Sequence, residues 1–269
     1  MDTLILLGNG FDKSLGYQTG YDNFYENCRE QLNDASKKGN KLCEYILANF
    51  QDTLWSDLEN GLYHYSLQLT KTYGGGNTDV ANKFKKDFEE LRALLFNYLN
   101  KEISKPILSG TQNRTAKLYS LWYKHFDPLL VTFTYTNSVL ALVNVKEPRI
   151  FYNNDDSITE TRLVFQHGAI YNTYDAKNYT SEHIVLGIDD SQQVENIHSF
   201  LYKSNQHRHD VNYYTDAIKN CKNIIIFGCS AGESDRWYFE QIFNNQINGK
   251  TFLVYAYGNE GISSIKKTD

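Results

Sequence analysis

Short apolar runs of the length of β-strands recur along this chain, and the apolar density of those at 128–133 and 224–227 is typical of strands buried in a parallel sheet. Six such runs occur, at positions 4–7, 128–133, 161–165, 184–186, 224–227 and 251–255. The first five end in a polar or glycine-rich cluster. Ligands of open α/β sheets bind beside the carboxyl ends of the strands. The pattern therefore predicts an α/β protein with its ligand site at that edge of the sheet.

A long block of helical patterns separates the first run from the second. Apolar residues recur with helical spacing in four segments, at 21–32, 42–50, 55–69 and 80–100. The last of these has an apolar stripe with lysine and glutamate on the opposite side. The glycines of 74–77 predict a loop before it. We predict a single α/β domain over 1–269, with a helical insertion over approximately 40–125.

The N-terminal glycine turn is the first candidate site. Gly8, Asn9 and Gly10 follow the first strand, and a helix is predicted from Phe11. Glycines let the backbone approach a phosphate closely, and the N–H groups at a helix start favour an anion. The common dinucleotide fingerprint has a glycine at position 13, where this chain has lysine, and the next glycine is Gly16. The motif by itself leaves both nucleotide binding and a purely structural turn open.

Polar residues at two later strand ends, and one near the glycine turn, are candidates for catalysis. Thr134 and Asn137 lie in the cluster after the second run, and His167 follows the third. A histidine there can hydrogen-bond or deprotonate a sugar hydroxyl near neutral pH, and Gly168 behind it allows a ligand to approach. Asp12 is either a helix-capping carboxylate or a catalytic one.

The fifth run leads into another strand-to-helix turn. Gly228, Cys229 and Ser230 open this turn, and either Ser230 or Asp235 is placed to cap the helix that follows. Cys229 could act as a nucleophile, but the sequence marks no partner base for it. Lys203, which follows two aromatic residues, either reaches a phosphate or is an ordinary solvated lysine.

Charge and cysteine content narrow the class of protein. The net charge is −5 and the pI is near 5.8, which argues against electrostatic binding of nucleic acid. The four cysteines lack zinc-ligand spacing and predict reduced thiols, and the segment 207–210 fits a solvated loop better than a metal site. No signal-peptide pattern precedes the first strand, and the apolar runs are too short to span a bilayer. We expect a cytoplasmic protein without membrane contact.

An ordered set of short motifs resembles the AbiH family. The motifs lie at 8–12, 55–59, 133–136, 167–168, 186–189 and 228–235. They occur in this order and are distributed over most of the chain. The resemblance implies a role in bacterial abortive infection, in which an infected cell stops growing or dies before the phage matures.

The same layout is more distantly similar to sirtuin-like NAD-binding domains. This resemblance implies a Rossmann-like parallel sheet of the sirtuin-like kind, with NAD or a related nucleotide as cofactor. Gly8, Gly10 and Gly16 would then face the phosphates, and His167 would act on the ribose hydroxyls. The other implied nucleotide-binding residues are Asn9, Phe11, Gly168, Gly228, Ser230 and Asp235.

One position departs from the sirtuin-like pattern. Thr134 stands where those domains have an asparagine, and Thr136 where they have an aspartate. A threonine cannot present both an amide donor and a carbonyl acceptor, so this side chain lacks the two groups with which an asparagine orients a water molecule. The catalytic set implied by the resemblance and the strand ends is His167, Thr134, Asn137 and Asp12.

Two functional hypotheses follow. In the first, the protein hydrolyses NAD at the nicotinamide–ribose bond, and loss of NAD arrests growth. In the second, it is a nucleotide-sensing module without chemistry that signals through the helical insertion, which the threonine at 134 favours. Both leave the phage-derived trigger open and allow an oligomer. Both expect Gly10, Thr134, His167 and Gly228 to converge on one pocket.

Overall fold

Five parallel strands form the central sheet. The structure is a computed structural model that describes residues 2–49, 58–105, 114–126, 128–143, 163–170, 180–206, 218–229, 235–244 and 249–255. The strands are β1 (Thr3–Leu7), β2 (Leu129–Thr132), β3 (Leu163–Phe165), β4 (Asn223–Phe227) and β5 (Thr251–Tyr255). Their order across the sheet is β3-β2-β1-β4-β5. This doubly wound order confirms the predicted Rossmann-like α/β class.

The register of the sheet places the apolar runs side by side. Leu4 of β1 is aligned with Leu129 of β2 on one side and with Ile224 of β4 on the other. Because side chains alternate along a strand, Leu4 and Leu6 pack on one face of the sheet and Ile5 and Leu7 on the other. All five residues of β1 are buried, as expected for a strand with helices on both faces.

Nine α-helices surround or extend from the sheet within the described ranges. They are α1 (Asn9–Ser14), α2 (Tyr21–Asn27), α3 (Arg29–Lys37), α4 (Lys41–Asn49), α5 (Leu58–Tyr73), α6 (Thr78–Ile103), α7 (Arg114–Phe126), α8 (Ser138–Val143) and α9 (Arg236–Asn244). Helices α1 to α7 lie between β1 and β2 in the chain. We call α2 to α6, which share one hydrophobic core, the helical block. Asn77 caps α6 by accepting a hydrogen bond from the Val80 amide at 3.2 Å. No helix in these ranges combines the length and apolar content that crossing a bilayer requires.

The predicted strand at 184–186 is wrong. Ile184 makes only an isolated antiparallel bridge to Gly168, and the run does not join the sheet. The side chains of Ile184 and Leu186 are buried in the core of the helical block, together with residues of α3, α4, α5 and α6. The apolar density at this position reflects burial rather than strand pairing, which periodicity cannot distinguish in so short a run.

The helix predicted over 21–32 is divided in two. Cys28, with φ −108° and ψ 13°, separates α2 from α3, and α3 then continues to Lys37. The predicted segment ends at position 32, but the polar stretch after it stays helical as far as Lys37. It does so because Leu32 and Ala35 keep a buried face while the polar residues lie on the solvent side.

Candidate functional site

The two glycine turns predicted to hold a nucleotide pack directly against each other. The Gly8 amide donates to the Phe227 carbonyl at 2.9 Å, and the Gly10 amide donates to the Gly228 carbonyl at 2.9 Å. A Cβ on Gly10 would lie 2.6 Å from the Gly228 Cα atom. The contact joins the carboxyl ends of β1 and β4, where the strand order reverses and ligands of doubly wound sheets bind. Backbone packing alone thus requires these glycines, and their contact with a phosphate remains a prediction.

Asn9, Phe11 and Gly16 shape the turn after β1. Asn9 Nδ2 donates to the Thr19 carbonyl at 3.2 Å, and the Thr19 hydroxyl donates back to Asn9 Oδ1. Phe11 is fully buried, with its ring centroid 5.4 Å from that of Tyr119. Gly16 has a φ of 96°, which favours glycine. The described contacts of Asn9 and Phe11 are internal and structural.

Asp12 is a buried carboxylate held by hydroxyl groups. Thr136 Oγ1 donates to Asp12 Oδ2 at 2.7 Å, and Ser138 Oγ donates to Oδ1. The capping interpretation is wrong, because the N-cap of α1 is Gly8 and Asp12 lies inside the helix. Burial raises the pKa of Asp12 from 3.8 to about 6, although hydrogen bonds from Ser138, Thr136 and Thr19 act in the opposite direction. The site therefore contains a carboxyl group that titrates close to neutral pH.

The raised pKa of Asp12 predicts a pH-dependent stability. Between about pH 4 and pH 6 the unfolded chain loses this proton before the folded protein does, so the free energy of unfolding falls as pH rises. Asp12→Asn should remove that loss, which amounts to roughly 2–3 kcal/mol. Urea unfolding across this pH window measures it, with the exposed Asp34→Asn as control. Parallel pH profiles for the wild type and Asp12→Asn would contradict the assignment.

Thr134 and Asn137 lie at the same carboxyl edge but differ in burial. Thr134 is buried, and its hydroxyl lies 2.9 Å from that of Thr132. It also donates to the Thr136 carbonyl at 3.4 Å. Asn137 is half-buried on the turn before α8. The Thr134 hydroxyl is thus engaged with its own strand end.

His167 belongs to a buried cluster of charged side chains. Its Nε2 lies 2.9 Å from Asp235 Oδ1, at the distance of an ion pair but without the alignment of a hydrogen bond. The same carboxylate oxygen accepts a hydrogen bond from Lys203 Nζ at 2.9 Å, and Lys203 Nζ also donates to Glu59 Oε2 at 2.9 Å. We call His167, Asp235, Lys203 and Glu59 the charge cluster. It joins four segments that are far apart in the sequence.

The electrostatics of the charge cluster follow from its burial. The Lys203 and Glu59 side chains are only 3% and 5% exposed. Burial alone would lower the pKa of Lys203, but Asp235 and Glu59 outweigh it and hold that pKa well above its ordinary value. Burial likewise opposes ionisation of Asp235, yet Lys203 and His167 keep its pKa below the usual range. One ammonium between two carboxylates leaves these three groups with one formal negative charge.

Lys203 therefore differs from both sequence interpretations. It is not a solvated lysine, and its ammonium is already shared by two carboxylates rather than directed at a phosphate. Asp235, considered as a helix cap or a nucleotide contact, immediately precedes α9 and directs its carboxylate at His167 and Lys203. A lysine that directly follows Phe200, Leu201 and Tyr202 was the available signal of burial, but that signal does not reveal its partners.

Aromatic rings pack around His167. The ring centroids of Phe133, Tyr135 and Tyr238 lie 5.5, 5.9 and 6.3 Å from its own. The Tyr135 hydroxyl donates to the Val185 carbonyl at 3.0 Å. Burial and the carboxylate of Glu59 raise the pKa of Tyr135 above its ordinary value. The imidazole is thus enclosed by rings on its sides and by a carboxylate at Nε2.

The structure brings together only some of the predicted site residues. His167 meets Asp235, and Gly10 meets Gly228, while Asp12 contacts Thr136 rather than Thr134. Ser230 and the segment 207–210 lie outside the described residues. Gly168 has a φ of 73° and bridges to Ile184, so its described contact is structural. Sequence reasoning did not select Glu59 as a site residue, although it lies in the stretch 55–59.

Cys229 has the environment of an unreactive thiol. Burial, followed by the nearby carboxylate of Asp235, raises the pKa of its thiol above the ordinary value. A nucleophilic cysteine needs the opposite shift, because the thiolate is the reactive form. The four cysteines, at 28, 43, 221 and 229, are all free.

Most of the chain matches the model of a known protein family. Residues 4–257 match the family model described as "Bacteriophage abortive infection AbiH". The matched range contains all five strands except Thr3, together with the charge cluster and both glycine turns. No curated protein matches the chain.

Proposed function

This chain belongs to the AbiH family of bacteriophage abortive-infection proteins, and on that premise we propose that its charge cluster is the catalytic part of a nucleotide site. The ligand is NAD or a related nucleotide, and the reaction is hydrolysis of the bond between nicotinamide and ribose. Loss of NAD then stops the growth of an infected cell.

The contact between His167 and Asp235 is the observation that carries this proposal. A histidine whose Nε2 lies beside a carboxylate at the carboxyl edge of a doubly wound sheet stands where a general base can act on a bound ligand. In the reaction the bond from ribose C1′ to the nicotinamide nitrogen breaks, and water adds at C1′. The proton of that water passes to His167.

The charge of the cluster also suits this reaction. Hydrolysis of a glycosidic bond passes through an oxocarbenium-like transition state, in which positive charge develops on the sugar. The two carboxylates exceed the single ammonium of Lys203, so the cluster is complementary to that charge. The glycine turns at β1 and β4 are assigned the phosphate side of the ligand.

A second candidate function is nucleotide sensing without chemistry. It is favoured by Thr134, whose hydroxyl is engaged with Thr132 and which has no amide to orient water. In this case Glu59 is the relevant link, because it lies in the first turn of α5 and contacts Lys203. A change caused by ligand binding at the sheet would then reach the helical block through this ion pair.

Nicotinamide release from NAD by the purified protein tests the first function. We expect release by the wild type and by His125→Ala, which removes an exposed histidine on α7. His167→Ala should release at least about 100-fold less, because a general base contributes roughly 10²–10⁴-fold. Saturable NAD binding without release, weakened by His167→Ala, would select the sensor. Absence of both binding and release would overturn the nucleotide proposal and leave only the family membership.

A further inference from the structure

Helices α4, α5 and α6 enclose a cleft of about 740 Å³ within the helical block. None of the four residues of the charge cluster lines it. Small-molecule sites in proteins occupy roughly 300–1,000 Å³, so the cleft has the size of a ligand site. It is spatially separate from the strand ends and needs its own explanation.

The walls of the cleft are rich in aromatic rings. The ring centroids of Tyr45 and Tyr65 lie 4.8 Å apart, and the Phe84 ring stands edge-on to Tyr65 at 5.0 Å. Tyr73, at the end of α5, is 57% exposed, which is high for so large a ring beside a cleft. Tyr65 and Phe84 are buried in the wall, so the rings that a planar molecule can reach are those of the half-buried Tyr45 and of Tyr73.

The charges that line the cleft are already paired. Lys41 Nζ lies 2.7 Å from Glu44 Oε2. Lys83 pairs with Asp87 and also donates to the Gly39 carbonyl at 2.8 Å. Asp79 lies in the first turn of α6, where the positive end of the helix dipole balances a carboxylate. Each lysine that lines the described part of this cleft therefore already has a carboxylate partner, which a phosphate or carboxylate ligand would have to displace.

We propose that this cleft is a second ligand site, and that it takes an uncharged planar aromatic molecule of about nucleoside size. Stacking against Tyr45 and Tyr73 provides the affinity. Gln68 and Thr72, both exposed on the cleft side of α5, provide hydrogen bonds that orient the ring. The proposal is independent of the nucleotide function assigned to the charge cluster.

Two neighbouring positions on α5 allow a matched test. Gln68 lines the cleft, whereas Leu67 is 39% exposed and does not line it. Gln68→Trp should fill the cleft, while Leu67→Trp adds the same ring to the same helix outside it. Thr72→Trp should also fill the cleft, and we call Gln68→Trp and Thr72→Trp the blocking variants. Because all three positions are exposed, the variants are expected to fold.

Isothermal titration with indole, benzamide and adenosine measures the binding. We expect saturable binding of at least one probe to the wild type, to Leu67→Trp and to His167→Ala. The two blocking variants should bind it at least tenfold more weakly, and AMP should bind no more tightly than adenosine. Unchanged binding to the blocking variants, loss of binding in His167→Ala, tighter binding of AMP, or no saturable binding of any probe would each overturn the proposal.

Discussion

Replacing Lys203 by methionine is expected to lower the free energy of unfolding by roughly 3–5 kcal/mol. The substitution keeps the length of the side chain but removes the ammonium that Glu59 and Asp235 share. Two carboxylates would then remain close together and largely removed from water. Removing one partner of a buried ion pair is costly because the remaining charge is left without compensation. Urea unfolding near neutral pH measures the loss.

A surface lysine provides the matched control for this variant. Lys222 pairs with Asp2 at 3.5 Å, and both side chains are more than two-thirds exposed. Lys222→Met should change the free energy of unfolding by less than about 1 kcal/mol, as is usual for exposed pairs. In addition, Glu59→Gln in the Lys203→Met background should recover part of the loss, because it removes one of the two repelling carboxylates. A loss as small for Lys203→Met as for Lys222→Met would mean that the charge cluster is not a buried network.

Replacing Gly228 by alanine is expected to cost roughly 3–5 kcal/mol, from two separate effects. The residue has a φ of 63°, which an L-amino acid adopts at a cost. Its added Cβ would also lie 2.6 Å from the Gly10 Cα and 2.7 Å from the Phe11 amide nitrogen, both of which are backbone atoms. Backbone cannot move aside as a flexible side chain can, so the two turns would have to separate.

Gly39→Ala separates the two effects. Gly39 has a φ of 97°, but nothing lies within 4 Å of the position of its Cβ. This control therefore reports the conformational cost alone, about 1–2 kcal/mol. Denaturant unfolding of the two variants gives the difference, which is the cost of separating the turns. Equal losses would show that the contact between Gly10 and Gly228 does not stabilise the protein.

The charge cluster gives the helical block a direct connection to the sheet. Glu59 comes from α5, while His167 and Asp235 come from segments near the carboxyl ends of β3 and β4. Lys203 lies between them on a short 3₁₀ turn. A change in the charge of Asp235 would therefore act on Lys203 and, through it, on the contact with Glu59 in the first turn of α5.

The strand ends were predictable because a buried strand leaves a local signature. The apolar runs in β1, β2, β3 and β4 identified where each strand stops, and so placed His167 and the two glycine turns at one edge of the sheet. The same signature failed at 184–186, where the burial comes from the helical block rather than from strand pairing. The break at Cys28 was also missed, because the apolar spacing continues across it.

The sequence by itself determined the α/β class, the long helical block after the first strand, and the family to which the chain belongs. These depend on residue periodicity and on the order of motifs, which are properties of short segments. Only the tertiary structure decided that Lys203 is shared by Glu59 and Asp235, and that Gly10 packs on Gly228. The environment of a charge or a glycine depends on which distant segments pack against it, and local pattern carries no information about that packing.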